Sequence, residues 1–416
     1  MSTINTGDTA FILICSALVL LMTPALAFFY GGLVRRKNVL NTMMSSYVIV
    51  GISSIMWVVL GYSLSFGQDI GGIVGNLNFF GMNGVGWEPN ADYAANIPHL
   101  AFAIFQMMFA IITPALITGA VAERMRFPAL MVFTPLWLLI VYYPLAHMMW
   151  GKGGLLSAIG AVDFAGGNVV HISSGISALV LCLVLGKRHQ HGKVHMTPHN
   201  IPFVLLGAGL LYFGWFGFNA GSALAANGLA AHAFMTTNTA AACAMLSWII
   251  LETIVTKKPT ALGAATGAVV GLVAITPGAG FVPIWAALII GLLVSPICWL
   301  AITFLKKRLG YDDALDAFGC HGIGGIWGGL ATGLFAQTSI NPVAKFNGLF
   351  FGDTGLILAQ LEAIGITIVL SAVGTFIIVK LVGLVTKLRV TSREELDGLD
   401  GSQHGESAYP SFFGMD

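Results

Sequence analysis

Charged side chains are scarce in this 416-residue chain: Asp, Glu, Lys and Arg together make up 9% of it, against about 25% in an average soluble protein. With 19 basic and 18 acidic residues, the net charge of +1 gives no surplus that favours nucleic acid or an acidic partner. Apolar residues reach 56%, which is too many for one soluble core. The composition therefore excludes an ordinary soluble domain and predicts an all-α polytopic membrane protein.

Metal and disulfide signals are also weak. The five cysteines lie in apolar segments without CxxC spacing, which predicts neither a disulfide framework nor a zinc site. An intramembrane metal enzyme built on His171, His321 and Asp163 is a minor alternative, because no third histidine converges with them and no nucleophile motif is present. We therefore expect no enzyme, no cofactor and no metal.

Apolar stretches of about 20 residues, separated by polar clusters, predict about eleven transmembrane helices. They lie near residues 9–33, 42–66, 97–121, 127–147, 164–186, 202–220, 233–255, 261–276, 282–305, 316–335 and 355–386. The last stretch is about 48 Å long at 1.5 Å per residue. It must tilt or extend beyond the bilayer.

The basic residues predict the orientation. Seventeen of the 19 follow odd-numbered spans, counting Lys380 with the last cluster, and the opposite loops hold Lys152 and Lys345. Because cytoplasmic loops collect Lys and Arg, we predict an outer N-terminus and a cytoplasmic C-terminus. Residues 1–8 include an acid and no base, unlike a cleavable signal peptide, so the first span is expected to stay in the mature protein.

We predict that the chain divides into a transmembrane domain, 1–386, and a polar cytoplasmic tail, 387–416. The domain contains two five-span pseudo-repeats, about 9–186 and 202–335, followed by the long last helix, about 355–386. Residues 67–96, rich in Gly and Asn and without a base, predict an outer loop long enough to cover a vestibule. The tail is either a solvated end or a docking element.

Two histidines lie inside predicted spans, where an ionisable residue costs roughly 2.5–3.5 kcal/mol. His171 follows Asp163 by eight residues in the fifth span, and His321 follows Asp316 by five in the tenth. Entering from opposite sides, the two imidazoles could meet near the middle. This arrangement predicts an inverted five-plus-five helix repeat, the alternative being two unrelated core histidines. We interpret both aspartates as helix N-caps.

Aromatic residues gather near the outer ends of several spans. Phe105 and Phe109 lie four apart on one helix face, Phe218 ends the sixth span, and Trp150 ends the fourth. Such faces can hold a compact cation at about 0.5–2 kcal/mol each, and Ser222 could accept a hydrogen bond from it. Ordinary packing and interfacial anchoring are the alternative.

At these residues the sequence resembles the ammonium transporter family, the Amt/Mep/Rh proteins, and most closely its bacterial and archaeal Amt branch. The resemblance covers nearly the whole chain. The matching motifs are Phe29-Tyr-Gly-Gly-Leu-Val, Gly61-Tyr-Ser-Leu-Ser-Phe-Gly, Gly119-Ala-Val-Ala-Glu-Arg, Asp163-Phe-Ala-Gly-Gly, Gly214-Trp-Phe-Gly-Phe-Asn-Ala-Gly-Ser and Phe318-Gly-Cys-His-Gly. The resemblance implies an eleven-span homotrimer in the plasma or inner membrane, with one pore in each subunit.

The resemblance also implies roles for the outer residues. Phe105, Trp150 and Ser222 correspond to an ammonium-recruitment site. Phe109 and Phe218 correspond to a stacked outer gate below it.

Near the recruitment site, Asp163 corresponds to the family's acid that supports cation binding and deprotonation without touching the substrate. His171 and His321 correspond to the twin histidines of the pore. Lys152 and one extra residue before Asp163 depart from the family's pattern, so the local potential at the outer mouth is open. Glu362 has no role that we can name.

The tail contains Glu394-Glu-Leu-Asp-Gly-Leu-Asp400, which is similar to the family's regulatory C-terminus. The resemblance implies a possible PII-type signalling partner at the cytoplasmic face.

Our hypothesis for the mechanism starts from the high cost of moving an unpaired ion through an apolar pore. Ammonium would be captured outside and deprotonated below the gate, and neutral ammonia would pass the histidines. A proton travelling separately would make uptake electrogenic, which suits histidine because its two nitrogens donate and accept in turn. The alternatives are an electroneutral ammonia channel and an ammonium sensor that signals through its tail.

Overall fold

The computed structural model describes residues 4–194 and 196–409. Eleven long helical segments follow one another along this part of the chain, and each overlaps one predicted span. They are α1 (Thr6–Leu33), α2 (Val39–Met56, the π turn Trp57–Gly61 and Tyr62–Phe66), α3 (His99–Val121), α4 (Phe127–Trp137, the π turn Leu138–Tyr142 and Tyr143–Trp150), α5 (the π turn Gly167–Ile172 and Ser173–Leu185), α6 (Ile201–Gly221), α7 (Gly228–Thr256), α8 (Ala261–Ile275), α9 (Ile284–Leu300, the π turn Ala301–Leu305 and Lys306–Leu309), α10 (the π turn Phe318–Gly322 and Ile323–Phe335) and α11 (Gly355–Val385).

The helical architecture confirms the predicted fold class. Within the described residues, nine helices are long and apolar enough to cross a membrane, while α8 is shorter and also apolar. The direction in which the chain crosses the membrane stays a prediction.

Glycines let α6 approach α1 closely. A Cβ atom on Gly207 would lie 2.4 Å from the backbone nitrogen of Phe29, and one on Gly214 would lie 2.7 Å from the carbonyl oxygen of Leu18. Between helices in lipid there is little hydrophobic driving force, so close contact of small residues supplies much of the packing energy. Side chains of both α1 and α6 line a small cavity at the centre of the helices.

The fifth and tenth helices begin alike. Each starts with a π-helical turn, and the two turns contain His171 and His321. The helices cross where a Cβ atom on Gly175 would lie 2.1 Å from the backbone nitrogen of Gly322. π turns occur frequently at functional sites, and their matching positions support the predicted five-plus-five repeat.

The N-cap predicted at Asp163 is confirmed. Its two carboxylate oxygens accept hydrogen bonds from the backbone N–H groups of residues 166–169 at 2.6 to 3.2 Å. These groups have no partner within the first turn of a helix, so the carboxylate fixes where α5 begins.

The N-cap predicted at Asp316 is wrong. Asp316 has a positive φ of 60° and binds Lys306 Nζ at 2.7 Å. The capping residue is Asp313, which accepts hydrogen bonds from the N–H groups of Ala317 and Phe318 at 3.1 and 2.8 Å. A cap needs its side-chain oxygen beside the free N–H groups of the first turn, and the Asp316 carboxylate is bound to Lys306 instead.

The loop 67–96 contains a short antiparallel hairpin, β1 (Asp69–Ile70) and β2 (Val74–Gly75), in which Asp69 pairs with Gly75. A 3₁₀ turn, Phe80–Met82, follows it. The hairpin contacts the end of α4 and so lies beside Trp150.

Of the predicted tail 387–416, residues 410–416 lie outside the described residues. The rest forms a short helix, α12 (Ser392–Asp397), and a π turn, Asp400–His404. Thr391 and Glu394 form a reciprocal capping box at the start of α12, which stabilises such a short helix at its free end.

Candidate functional site

A column of five rings runs through the centre of the helices. Centroid distances along it are 5.9 Å from Trp150 to Phe109, 4.4 Å from Phe109 to Phe218, 6.2 Å from Phe218 to His171 and 5.3 Å from His171 to His321. The five rings come from α4, α3, α6, α5 and α10 respectively. The fold thus brings together residues that the sequence separates by up to 212 positions.

Phe105 and Ser222 lie near the top of this column. The ring of Phe105 is 5.0 Å from that of Phe109 and packs on Gly221, where a Cβ atom would come within 2.8 Å of the ring. The Ser222 hydroxyl donates to the carbonyl of Phe218 at 2.9 Å. Its oxygen keeps acceptor capacity, which is the role predicted for it.

Trp150 is held by its polar edge. Its indole N–H donates to the backbone carbonyl of Asp163 at 2.8 Å, while all the oxygens of the Asp163 side chain are occupied by backbone donors. Asp163 therefore lies beside the predicted recruitment site, and its backbone carbonyl contacts Trp150.

Phe109 and Phe218 form the narrowest aromatic contact of the column. Both side chains are buried, and their ring planes are tilted by 36°. In this conformation the two rings separate Trp150 from the histidines, which is the position expected of a gate.

The two histidines are stacked, with 20° between their ring planes. Their Nδ1 atoms are 3.3 Å apart, so one must donate while the other accepts. The Nε2 atom of His171 is buried and has no hydrogen-bond partner among the described residues. A buried polar atom of this kind costs free energy and is available to a small hydrogen-bonding molecule.

Trp215 belongs to the same site, although no sequence pattern distinguished it from other aromatic residues. Its ring stacks on His171 at 5.4 Å and 24°, and its indole N–H donates to Thr276 Oγ1 at 2.9 Å. The available signal was its position one turn before Phe218 on α6, but one more aromatic residue in an apolar helix predicts packing equally well.

The cavity beside the histidines is small and almost entirely apolar. Its volume is about 10 Å³, close to the minimum for one water-sized molecule. Its lining residues are Met22, Leu26, Phe29, Ile112, Leu116, Val170, His171, Leu211, Trp215, Phe218, Val269 and His321.

Lys152 points away from this column. Its Nζ atom binds Asp92 of the loop 67–96 at 2.6 Å, and its side chain is 67% exposed. This ion pair neutralises much of the charge that Lys152 brings to the mouth. Glu362 is exposed on α11 and borders an open apolar groove with Ile140 and Val369.

A buried ionic cluster lies at the opposite end of the column. Arg188 binds Glu123 at 3.0 Å and Asp312 at 2.8 Å. Burial raises the pKa of Asp312, but the Arg188 guanidinium more than offsets this effect and holds that pKa well below its usual range. The pKa of Glu123 is lowered in the same way by Arg35 and Arg188, against the effect of burial. The loops at this end are therefore joined by ionised groups.

The tail packs against this end of the helices. Glu395 is buried and binds Arg389 at 2.8 Å, while its other oxygen accepts from the N–H of His189. Asp400 accepts from the N–H of Asn41 at 2.9 Å. Of the two alternatives left open for the tail, these contacts favour a docking element over a solvated end.

Within the described residues, no group of three His, Cys, Asp or Glu side chains is placed to hold a metal ion. The fold and the column define a class of protein: a helical membrane protein with a narrow path lined by rings.

The particular family follows from comparison. A model of the Ammonium Transporter Family matches residues 10–409, and the chain belongs to that family, as the motifs predicted. The ammonium transporter of Bacillus subtilis (strain 168) is 54% identical over 403 residues, covering 97% of this chain and 98% of that protein. The chain is thus a multi-pass membrane protein.

Solved structures have the same fold. Mep2 of Saccharomyces cerevisiae matches with a TM-score of 0.90 at 36% identity, over 99% of this chain and 93% of that one. A protein described as a sensor Amt protein matches with a TM-score of 0.87 at 29% identity, over 96% of this chain and 98% of that one.

Proposed function

We propose that this chain transports ammonium across the plasma or inner membrane by separating it into ammonia and a proton. Ammonium is recruited between Trp150, Phe105 and Ser222, and it loses its proton near the Phe109 and Phe218 gate. Neutral ammonia then passes through the cavity beside the histidines. Family membership and the relatives' names support ammonium as the substrate.

The composition of the path supports this order of steps. An unpaired ion in an apolar medium loses its hydration energy, and no carboxylate lines the cavity among the described residues. Aromatic faces at the mouth can replace part of the hydration of ammonium. Farther in, the apolar walls favour the neutral molecule.

The unpartnered Nε2 of His171 is the observation that carries the proposal. It lies in an apolar cavity and has no hydrogen-bond partner among the residues that the structure describes, while Nδ1 of the same ring contacts Nδ1 of His321. Ammonia can both donate to and accept from an imidazole nitrogen. A proton can move between the stacked rings because each ring donates at one nitrogen and accepts at the other, which makes net uptake electrogenic.

We further propose that residues 1–386 form the transport domain, with the N-terminus outside, and that residues 387–416 form a cytoplasmic regulatory tail. The docked segment 391–404 supports a regulatory role because it contacts several loops at once. A homotrimer and a PII-type partner at that face are part of the proposal and rest on family membership. We assign the chain no enzymatic activity and no cofactor.

The test is charge movement across proteoliposomes after a jump in ammonium concentration, with sodium and potassium as ionic controls. We expect an ammonium-specific current in the parent. A double variant, His171→Ala with His321→Ala, should lose the current or its ion selectivity. His232→Ala is the matched control, because that imidazole bonds the carbonyl of Val282 outside the column.

Two other functions predict different outcomes. Verified ammonium uptake without current would contradict the separate proton step and favour an electroneutral channel. Ammonium binding without uptake would favour a sensor, a function named for one structural neighbour.

A further inference from the structure

Glu362 is the single acidic residue of the long helix α11. Ionisable residues within membrane spans are rare, and they usually face the interior of the bundle or pair with one another. Glu362 instead has an exposed side chain, and none of the ion pairs formed within residues 4–194 and 196–409 includes it. The basic residue of the same helix, Lys380, is about 27 Å away along the axis.

A contact of α11 with the site fixes the level of Glu362. Gln360, two residues earlier, accepts a hydrogen bond from the backbone N–H of Val162 at 2.9 Å. Val162 adjoins Asp163, whose backbone carbonyl binds the indole of Trp150. Glu362 therefore lies near the level of Trp150, at the mouth end of the ring column. In the proposed orientation this is the level of the outer leaflet.

An open apolar groove begins at Glu362 and follows α11. It has a volume of about 690 Å³ and is lined by α11 from Glu362 to Ile377, together with Ile140 of α4. The lined stretch of α11 is about 22 Å long at 1.5 Å per residue, whereas one leaflet fills roughly 15 Å, half of the hydrocarbon core. The groove is thus long enough for an acyl chain of one leaflet.

Two glycines shape this groove. A Cβ atom on Gly365 would meet no atom within 4 Å, so the missing side chain leaves open space one turn below Glu362. Farther along, a Cβ atom on Gly374 would lie 2.8 Å from Cγ2 of Val141. The helices α11 and α4 therefore touch at that point and form the floor of the groove.

We propose that this groove binds a phospholipid with a primary ammonium headgroup: one acyl chain lies along α11, and the headgroup ammonium donates hydrogen bonds to the Glu362 carboxyl group. The inference rests on the proposed function only in assigning the headgroup to the outer leaflet.

The headgroup follows from the chemistry at the end of the groove. A carboxyl oxygen accepts hydrogen bonds, and a primary ammonium has three N–H donors. The trimethylated ammonium of a choline lipid has none, and the net negative charge of a phosphoglycerol lipid gives no attraction to an acidic side chain. Ethanolamine lipids therefore match Glu362 best. A second copy of the chain would have to supply a base at this level, because burying an unpaired charge is costly.

Lipid retention tests the proposal. The protein in detergent is equilibrated, without ammonium, with equal amounts of phosphatidylethanolamine, phosphatidylcholine and phosphatidylglycerol that have the same acyl chains. It is then washed, and the bound lipids are counted by mass spectrometry. The parent should retain phosphatidylethanolamine in preference to the other two lipids.

Variants at position 362 test the headgroup contact. In Glu362→Leu the ratio of ethanolamine to choline lipid should fall by about tenfold or more, the size expected for loss of a hydrogen bond to a charged group. Glu362→Lys should instead favour phosphatidylglycerol. Lys380→Leu is the matched control on the same helix and should keep the parent's ratio.

Gly365→Leu tests the groove itself. The added side chain fills the space below the carboxyl group, so the ethanolamine lipid should be lost although Glu362 is still present. Leucine is a better helix former than glycine, which favours folding of the variant. Gly383→Leu is the control, since Gly383 is an exposed residue of α11 outside the lined stretch.

Equal retention of ethanolamine and choline lipids by the parent, or an unchanged ratio in Glu362→Leu, would overturn the proposal. Equal lipid loss in Gly365→Leu and Gly383→Leu would do the same. A changed oligomeric state of Gly365→Leu with unchanged lipid retention would identify a second copy as the occupant and reject the lipid. Because these measurements need no transport, a silent current assay would reject the proposed function and leave the lipid counts decisive for the groove.

Discussion

Asp163 and Asp313 occupy equivalent places in the two halves of the molecule. Each lies eight residues before a histidine of the ring column, and each carboxylate accepts backbone N–H groups at the start of the helix that carries that histidine. The acids thus set where α5 and α10 begin. Because the histidines follow within the first turns, the caps also set where the two imidazoles meet.

Asp163→Asn is predicted to destabilise the protein. In the parent, the second carboxylate oxygen accepts from the N–H groups of Asn168 and Val169. In the variant an amide N–H group faces these two donors, and only one acceptor oxygen remains. Leaving buried donors unpaired costs about 1–3 kcal/mol each. The midpoint of thermal unfolding should fall clearly, whereas Asp397→Asn, at an exposed position of α12, should leave it unchanged. Equal midpoints for both variants would mean that the cap is not needed.

Asp313→Asn should change how stability depends on pH. Burial, together with the neighbouring Asp316, raises the pKa of Asp313 to about 6, so the folded state retains a proton that the unfolded state releases near pH 4. The stabilisation by that proton is complete below about pH 4 and is lost as the pH rises through 6. The unfolding midpoint of the parent relative to the variant should therefore fall between about pH 4 and pH 6 and level off above. A difference that is constant across this range would contradict the raised pKa.

Hydropathy predicted every long helix, because a span needs a long apolar run and its ends need polar residues. It could not place the second cap. Three acids, Asp312, Asp313 and Asp316, lie close together before α10, and their roles depend on the positive φ at Asp316 and on partners far away in the chain. Asp312 forms a salt bridge with Arg188, and Asp316 forms one with Lys306. Such long-range pairing is not contained in a local pattern.

The candidate site was predictable to the extent that its residues carry distinctive chemistry. Histidines inside spans are costly and therefore conspicuous, but Trp215 is one aromatic residue among many and its stacking on His171 depends on the packing of α6 against α5. The docking of the tail could not be predicted either. Acidic residues such as Glu395 and Asp400 are typical of solvent-exposed segments, and the sequence does not show that they have partners elsewhere in the chain.

Phe218→Ala is predicted to relax selection by size. Removing one ring of the 4.4 Å pair opens the column above His171, so uptake of methylammonium should rise several-fold relative to ammonium. Truncation of a buried Phe also costs about 3–5 kcal/mol, which calls for a control with a similar cost.

Phe216→Ala supplies that control. Phe216 stacks on Phe234 at 3.9 Å, away from the column but on the same helix. If it changed the ratio of methylammonium to ammonium uptake as much as Phe218→Ala does, general loosening of α6 would explain both.

Glu395→Ala should release the tail. The substitution leaves Arg389 and the N–H of His189 without their carboxylate partner, and hydrogen bonds to charged groups contribute about 1.5–3 kcal/mol. Hydrogen exchange in residues 391–404 should speed up by roughly tenfold or more, as 1.4 kcal/mol corresponds to a factor of ten. Glu406→Ala, at an exposed position farther along the tail, should have little effect. If hydrogen exchange in residues 391–404 accelerated as much in Glu406→Ala as in Glu395→Ala, a specific role for Glu395 would be contradicted.

Lys152→Met is predicted to leave ammonium recruitment nearly unchanged. Lys152 is two residues from Trp150, and an unpaired cation there would repel ammonium. Its Nζ atom instead binds Asp92, so the pair presents little net charge to the mouth, and solvent screens what remains. The ammonium concentration that gives half-maximal current should shift by less than about twofold at 0.15 M salt.

Asp92→Asn, which frees the lysine, should raise that concentration at low salt. The effect should fade as salt is added, because the Debye length shortens from about 30 Å at 0.01 M to about 8 Å at 0.15 M. A large gain in apparent affinity for ammonium from Lys152→Met alone would show that the charge of Lys152 repels ammonium at the mouth even though Lys152 binds Asp92.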